Sequence, residues 1–398
     1  MTRLHLPRRA ALLGAASLLG AAASATSGGG NADPAPQKHP ATPASTQAPG
    51  PAAPVSVPVP KTAGLNTVAM QGGRFFGTAI DSTILVKDAP YMDHVVHECG
   101  ILTGETAFKW GAIRPDPDVY DFSEADRLMR FAERHAMMAR GHTLLWHEAN
   151  PDWLKDRINP GNAEQLLLAH IQTVVGHCRN RVVQWDVVNE MVERKDGRPL
   201  ALRDSIWTRA LGPNCIDIAF HACAEADPLP LRFINEYGLD YDWESDENKR
   251  QDLLALLARM KSRGVPVQGL GMQAHLDASV TALNQTKLAL FCDQVAAMGL
   301  KIVITELDVR DNKLPADTAV RDAAVASHTK AYLDAVLSCP AVMGVLTWGL
   351  SDRRSWLNDE LPREDKLIQR ALPLDVQMRR KPMWQAIADA FAAAPPRG

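Results

Sequence analysis

The sequence predicts an α/β fold closed into a single (β/α)8 TIM barrel. Three observations carry that expectation. Eight apolar, strand-like runs alternate with helix-like stretches, and such alternation implies a parallel sheet covered on both faces. Polar side chains collect at the carboxyl ends of many of these strands, whereas an open doubly wound sheet would gather its ligand contacts at one switch point. Residues 64–398 are long for an ordinary domain but normal for a barrel.

The first strand is FFGTAI (75–80), followed by a short amphipathic helix, APYMDHVVHE (89–98), and a second strand, GILTGE (100–105). SEADRLMRFAERHA (123–136) opens on Ser123, a good N-cap, and keeps its apolar residues at helical spacing. MMARGHTLLWH (137–147) reads as the third strand and AEQLLLAHIQTVVGHCR (163–179) as the third helix. In VVQWDVVNE (182–190), Trp185, Val187 and Val188 suit a packed sheet, and the run ends on Asn189 and Glu190. A helix over 205–226, a strand LRFINEY (231–237) and a helix over 248–264 follow. VQGLGMQAHLD (267–277) is the sixth strand and 285–299 its helix. KIVITELD (301–308) carries Ile302, Val303 and Ile304 up to Glu306. The helix 322–339, the strand VMGVLTWGL (342–350) and a closing helix over 381–393 complete the set. Glu105, His142, His147, Glu190, Asn235, Gln273, His275, Glu306 and Trp348 all fall at or near strand carboxyl ends, on the face where barrels place their sites.

Residues 1–25 have the form of an export signal. Arg3, Arg8 and Arg9 precede an apolar run from Ala10 to about Ala23, and small residues follow at 23–25. The Arg8-Arg9 pair resembles a twin-arginine signal, so a periplasmic or secreted location is expected. Residues 26–63 are Pro/Ala/Thr-rich and have little to bury, which predicts a disordered tether. No later segment is apolar for the ~20 residues a membrane span needs. The net charge of -3 gives no basic stripe for nucleic acid. The six cysteines show no C-x-x-C or zinc spacing, and one or two bridges remain open.

The matched placement of Glu190 and Glu306 at two strand ends is the main chemical signal. Two carboxyls across a cleft are what glycoside hydrolysis needs, one to protonate the leaving oxygen and one to attack or to activate water. Burial and like-charge proximity can separate their pKa values and hence their roles. A metal is not expected. His142 and His147, five apart on one strand, should point to opposite faces, and no H-E-x-x-H occurs. His147 is expected to serve packing or hydrogen bonding. GLGMQA (269–274) lies within a strand and opens no helix, so it is not read as a dinucleotide loop. Trp146, Trp348 and Trp356 suit flat platforms for sugar faces.

Six segments, ARGHTLLWH, WDVVNE, RFINEY, GLGMQAHL, ITELDVR and LTWGLSDRRSW, occur in this order between Phe75 and Ala390. Together they resemble glycoside hydrolase family 10, the endo-1,4-β-xylanases. The resemblance implies a retaining double displacement on xylan, with Glu190 as acid/base and Glu306 as nucleophile, their carboxyls about 5–5.5 Å apart. It implies that Asn189 meets the sugar 2-hydroxyl, and that His275 bonds the nucleophile with Asp308 holding its far nitrogen. Glu105, Lys109, His142, Trp146, Gln273, Trp348 and Trp356 would line the glycone side. No cofactor is implied, and a monomer acting on polysaccharide is expected. Two positions depart from the family pattern: Thr106 stands where an Asn is usual, and residues 235–238 read Asn-Glu-Tyr-Gly rather than Asn-Asp-Tyr-Asn. The same mechanism on another β-linked polysaccharide, such as an exopolysaccharide, therefore stays open, as does a non-catalytic sugar-binding barrel.

Overall fold

The computed structural model describes residues 62–397. The expected leader (1–25) and all but the last two residues of the expected tether (26–63) lie outside the described residues. The strands are β1 (Phe75–Ile80), β2 (Ile101–Gly104), β3 (Met138–Leu145), β4 (Gln184–Asn189), β5 (Leu231–Glu236), β6 (Gly269–Met272), β7 (His275–Asp277), β8 (Lys301–Arg310) and β9 (Val342–Thr347). Eight of them close a parallel barrel: β1 pairs with β2 on one side and β9 on the other, and β6 pairs with β8. β7 continues beyond β6 and pairs only with β8, His275 opposite Asp308. The expected barrel is the observed one, with helices between successive strands.

Side-chain size decides how the barrel interior fills. Phe75, Ile101, Phe233, Val303 and Leu346 form one buried cluster, and glycines make room for the aromatics. A Cβ at Gly269 would come within 2.2 Å of the Phe233 ring, and one at Gly344 within 2.3 Å of Phe75. The glycines of the GLGMQA stretch are thus packing residues. Arg140 lies over the Phe233 ring at 4.7 Å and pairs with Asp186, both fully buried. A buried ion pair is weak evidence of stability but holds its members in fixed geometry. Asp186 in turn meets His142 Nδ1 at 3.1 Å, so the barrel interior orients a residue of the mouth.

Several element boundaries differ from expectation, each with a local cause. The helix expected over 205–226 is two, Ile206–Leu211 and Asn214–Ala226. Gly212 adopts φ +59° between them, and Pro213 follows, so the first helix cannot continue. The sixth strand breaks between β6 and β7, where Ala274 has φ +62°. The third strand ends at Leu145 rather than His147, with a register shift against β4 between His142 and Leu145. A helix at Leu65–Gln71 was not expected; Leu65 N donates to the buried Glu98 Oε2 at 2.8 Å. All six cysteines are buried and none is paired. Burial pushes the thiols of Cys178, Cys215 and Cys223 up to about 12.

Candidate active site

Glu190 follows β4 directly, and Glu306 sits within β8. Both side chains are largely buried, 15% and 7% exposed respectively. A chain of amides joins them. Gln273 Nε2 donates to Glu190 Oε1 at 2.9 Å and approaches Asn189 Oδ1 at 3.5 Å. Asn235 Nδ2 donates to the same Asn189 Oδ1 at 2.9 Å and to Glu306 Oε1 at 2.8 Å. The two carboxyls therefore belong to one connected cluster at the barrel mouth. Asn189 Nδ2 is buried without a hydrogen-bond partner, a donor directed at no protein group.

Each carboxyl has its own supports. Trp146 Nε1 donates to Glu190 Oε2 at 2.9 Å. His275 Nε2 meets Glu306 Oε2 at 3.2 Å, and its Nδ1 meets Asp308 Oδ1 at 3.0 Å. Trp356 Nε1 donates to Asp308 Oδ2 at 2.6 Å. Burial opposes a charge on His275, but Asp308 and Glu306 outweigh it and hold the imidazole well above its ordinary pKa. When protonated, the His275 imidazole donates to both Glu306 and Asp308. Lys109 Nζ lies 4.6 Å from the Trp146 ring and 5.8 Å from that of Trp348, and the His142 ring meets Trp348 edge-on at 5.4 Å. Glu105 follows β2, its amide bonded to Ile80 O at 3.0 Å.

The sequence model described as "Glycosyl hydrolase family 10" matches residues 64–390. The chain belongs to that family. Endo-1,4-beta-xylanase 5 of Pyricularia oryzae is 31% identical over 343 residues, which span 83% of this chain and 79% of that protein. Exoglucanase XynX of Acetivibrio thermocellus is 32% identical over 336 residues, 80% of this chain and 29% of that longer protein. Xylanase 10B of Thermotoga petrophila, solved in complex with xylobiose, superposes with a TM-score of 0.76 at 31% identity, covering 84% of this chain and 98% of the other.

Family 10 membership accounts for the barrel, and the cluster shows where the residue-level expectations need revision. The opposite-face argument for His142 and His147 fails because β3 ends at Leu145. His147 turns into the site, its Nδ1 3.8 Å from Glu190 Oε2, while His142 points into the barrel toward Asp186. Trp146 and Trp356 do more than offer ring faces, since their indole N–H groups fix Glu190 and Asp308. Asn235 was named only as a strand-end residue with no role, and Arg203 was not named at all. Asn235 was legible as a polar strand-end residue in RFINEY. Arg203, whose Nε donates to the backbone oxygen of Glu190 at 2.7 Å, sits in a long loop with no pattern to mark it. The departure at Thr106 has a local partner: its Oγ1 lies 3.4 Å from Glu124 Oε2, which also accepts from Ser82 Oγ at 3.1 Å.

Electrostatics at Glu190 run against the simplest assignment of roles. Burial raises its pKa, but the His147 imidazole, the hydrogen bonds from Gln273 and Trp146, and Arg203 together outweigh burial and leave it below the ordinary glutamate value. A group acting as proton donor is expected to be raised instead.

Proposed function

We propose that this chain is an exported, monomeric endo-1,4-β-xylanase that hydrolyses internal xylosidic bonds with retention. The observation that carries the reading is the pair of carboxyls, Glu190 just after β4 and Glu306 within β8, joined by a chain of amide hydrogen bonds at the barrel mouth. In the first step Glu306 attacks the anomeric carbon and a glycosyl–enzyme ester forms. The bond to the leaving oxygen breaks as Glu190 gives that oxygen its proton. In the second step Glu190 takes a proton from water, which attacks the same carbon and releases Glu306. Both oxygens of Glu306 already accept hydrogen bonds, from Asn235 and His275, which suits an acceptor and nucleophile rather than a proton donor. The free Nδ2 of Asn189 is placed to donate to a hydroxyl of the sugar being cleaved. A sugar filling the cleft would strip water from the part of Glu190 still exposed and so favour its protonated form. The basic, apolar leader read from residues 1–25 supports export.

A second reading keeps the mechanism and changes the polymer to another β-linked glycan. It is favoured by Thr106, which meets Glu124 where the family usually offers an amide to sugar. A relative named as an exoglucanase points the same way. Reducing-sugar release and product profiles on arabinoxylan, glucuronoxylan and mixed-linkage glucan separate the two. Xylo-oligosaccharides whose first-formed anomer is β support the xylanase, and preferential attack on the glucan supports the second reading. Glu306→Ala should abolish turnover of an aryl β-xylobioside, while Glu190→Ala should spare substrates with good leaving groups, which need little protonation. Turnover surviving in Glu306→Ala would contradict both readings.

A further inference from the structure

We propose that Arg203 is a positioning residue for Glu190: it clamps the backbone of that residue in a left-handed turn and keeps its carboxyl aimed across the barrel mouth. The inference rests on Glu190 being the acid/base. Glu190 has φ +56°, a region that residues with a Cβ rarely occupy and that persists only where surrounding contacts over-determine it.

Those contacts are present at every residue of the turn. The carbonyl of Glu190 accepts from Arg203 Nε at 2.7 Å, and that of Met191 accepts from Arg203 N at 2.7 Å. Val192 N donates to Glu236 Oε1 at 2.9 Å, and Glu193 N to Ala201 O at 2.8 Å. Arg203 is itself held, because its Nη2 donates to Tyr237 Oη at 2.7 Å. The Tyr237 ring faces Lys249 Nζ at 3.7 Å, and Lys249 pairs with Glu236 Oε2 at 2.9 Å. One web thus ties the turn to β5 and to the helix Glu244–Ser262.

The hydrogen bonds of Arg203 are unusual for an arginine whose side chain is only 9% exposed. They go to a carbonyl and a phenol, and Glu193 stands off at 3.9 Å. The positive charge acts on Tyr237, Glu190 and Glu236 together. The charged and titratable groups around Glu190 are His147 with Glu148 beyond it, Arg203 and Glu193 on its own loop, Glu236 at the end of β5 with Tyr237 just after it, Lys249 from the helix, and Glu306 with His275 across the mouth. Of these, Arg203 is the one whose side chain also grips the Glu190 backbone.

The test compares kcat/KM for Arg203→Met and Arg203→Lys on xylan and on an aryl xylobioside with a good leaving group, with full pH profiles. A misaimed proton donor should cost Arg203→Met roughly 100-fold on xylan and far less on the activated substrate. Loss of the positive charge should also move the alkaline limb of its profile to higher pH. Arg203→Lys keeps a charge and loses the fork, so its rate on xylan should fall while its limb stays in place. Circular dichroism and thermal melts check folding; should Arg203→Met not fold, the selective loss in Arg203→Lys carries the decision. Equal losses on the two substrates, or a limb unmoved in folded Arg203→Met, would overturn the inference and leave Arg203 as scaffold only. Glu190→Ala, run alongside, separates the layers. Selective loss there with indifferent Arg203 variants sinks this inference alone, and non-selective loss in Glu190→Ala sinks the acid/base reading beneath it.

Discussion

Gly271→Ala places one methyl group beside the nucleophile's support, and its consequence can be worked from distances. A Cβ at Gly271 would lie 2.2 Å from Asn235 Oδ1, 3.0 Å from Asn235 Cγ and 3.0 Å from Thr305 Cγ2. Carbon–oxygen contacts settle near ~3.3 Å, so the Asn235 amide must retreat by about 1 Å. Asn235 is fully buried and has little room to do so. A retreat of that size opens its 2.8 Å bond to Glu306 Oε1 toward about 3.8 Å, beyond hydrogen-bond reach. It also strains the 2.7 Å bond from Thr305 Oγ1. Overpacking of this kind costs roughly 1–3 kcal/mol of stability. A nucleophile misplaced by about 1 Å costs on the order of 100-fold in kcat. The assay is kcat on an aryl xylobioside per folded molecule, with urea unfolding in parallel. Gly344→Ala is the control, since its Cβ would meet Phe75 at 2.3 Å in the barrel interior and should lower stability without lowering kcat. A Gly271→Ala enzyme that loses no more activity than Gly344→Ala would refute the claim that Asn235 holds the nucleophile.

Two further outcomes follow from the charges at the mouth. The proton donor works only while protonated, so kcat/KM on xylan falls as pH rises through the Glu190 pKa. His147→Gln removes the foremost influence holding that pKa down, and the alkaline limb should move to higher pH; a limb that stays or moves lower counts against His147 as a tuning group. Asp308→Asn tests the other carboxyl's support through stability. The folded pKa of His275 is raised above the unfolded value of about 6.5, so its ion pairs stabilise fully below that value and fade as pH rises through the folded one. Asp308→Asn should therefore lose about 3 kcal/mol near pH 5, the low end for a broken buried pair because His275 keeps Glu306. The deficit should shrink toward alkaline pH in urea titrations, and a deficit that grows instead would mean His275 is not the charged partner.

The barrel and its two carboxyls were legible in the chain because both depend on local pattern. Strand runs such as WDVVN and KIVIT alternate with amphipathic helices, which implies a parallel sheet, and the polar residues at many strand ends favour a closed barrel over an open sheet. Glu190, Glu306, Asn189, His275 and Gln273 stood out at strand ends, whereas Asp308 and the roles of Asn189 and His275 came from the resemblance to family 10. The structure does bring these residues into one hydrogen-bonded cluster.

What pattern could not supply was set by the way strands terminate and by contacts between distant segments. The period-2 rule assigns faces only while a strand continues, so with β3 ending at Leu145 it could not give the direction of His147 relative to His142. The left-handed conformation of Glu190 and its clamp by Arg203 join residues thirteen apart through a loop with no periodicity. The downward direction of the Glu190 pKa likewise comes from the residues after β3, the loop after β4 and the residues after β6 meeting around one carboxyl. Local sequence determined which groups reach the barrel mouth, whereas their protonation and aim arise from distances between neighbours that only the folded chain creates.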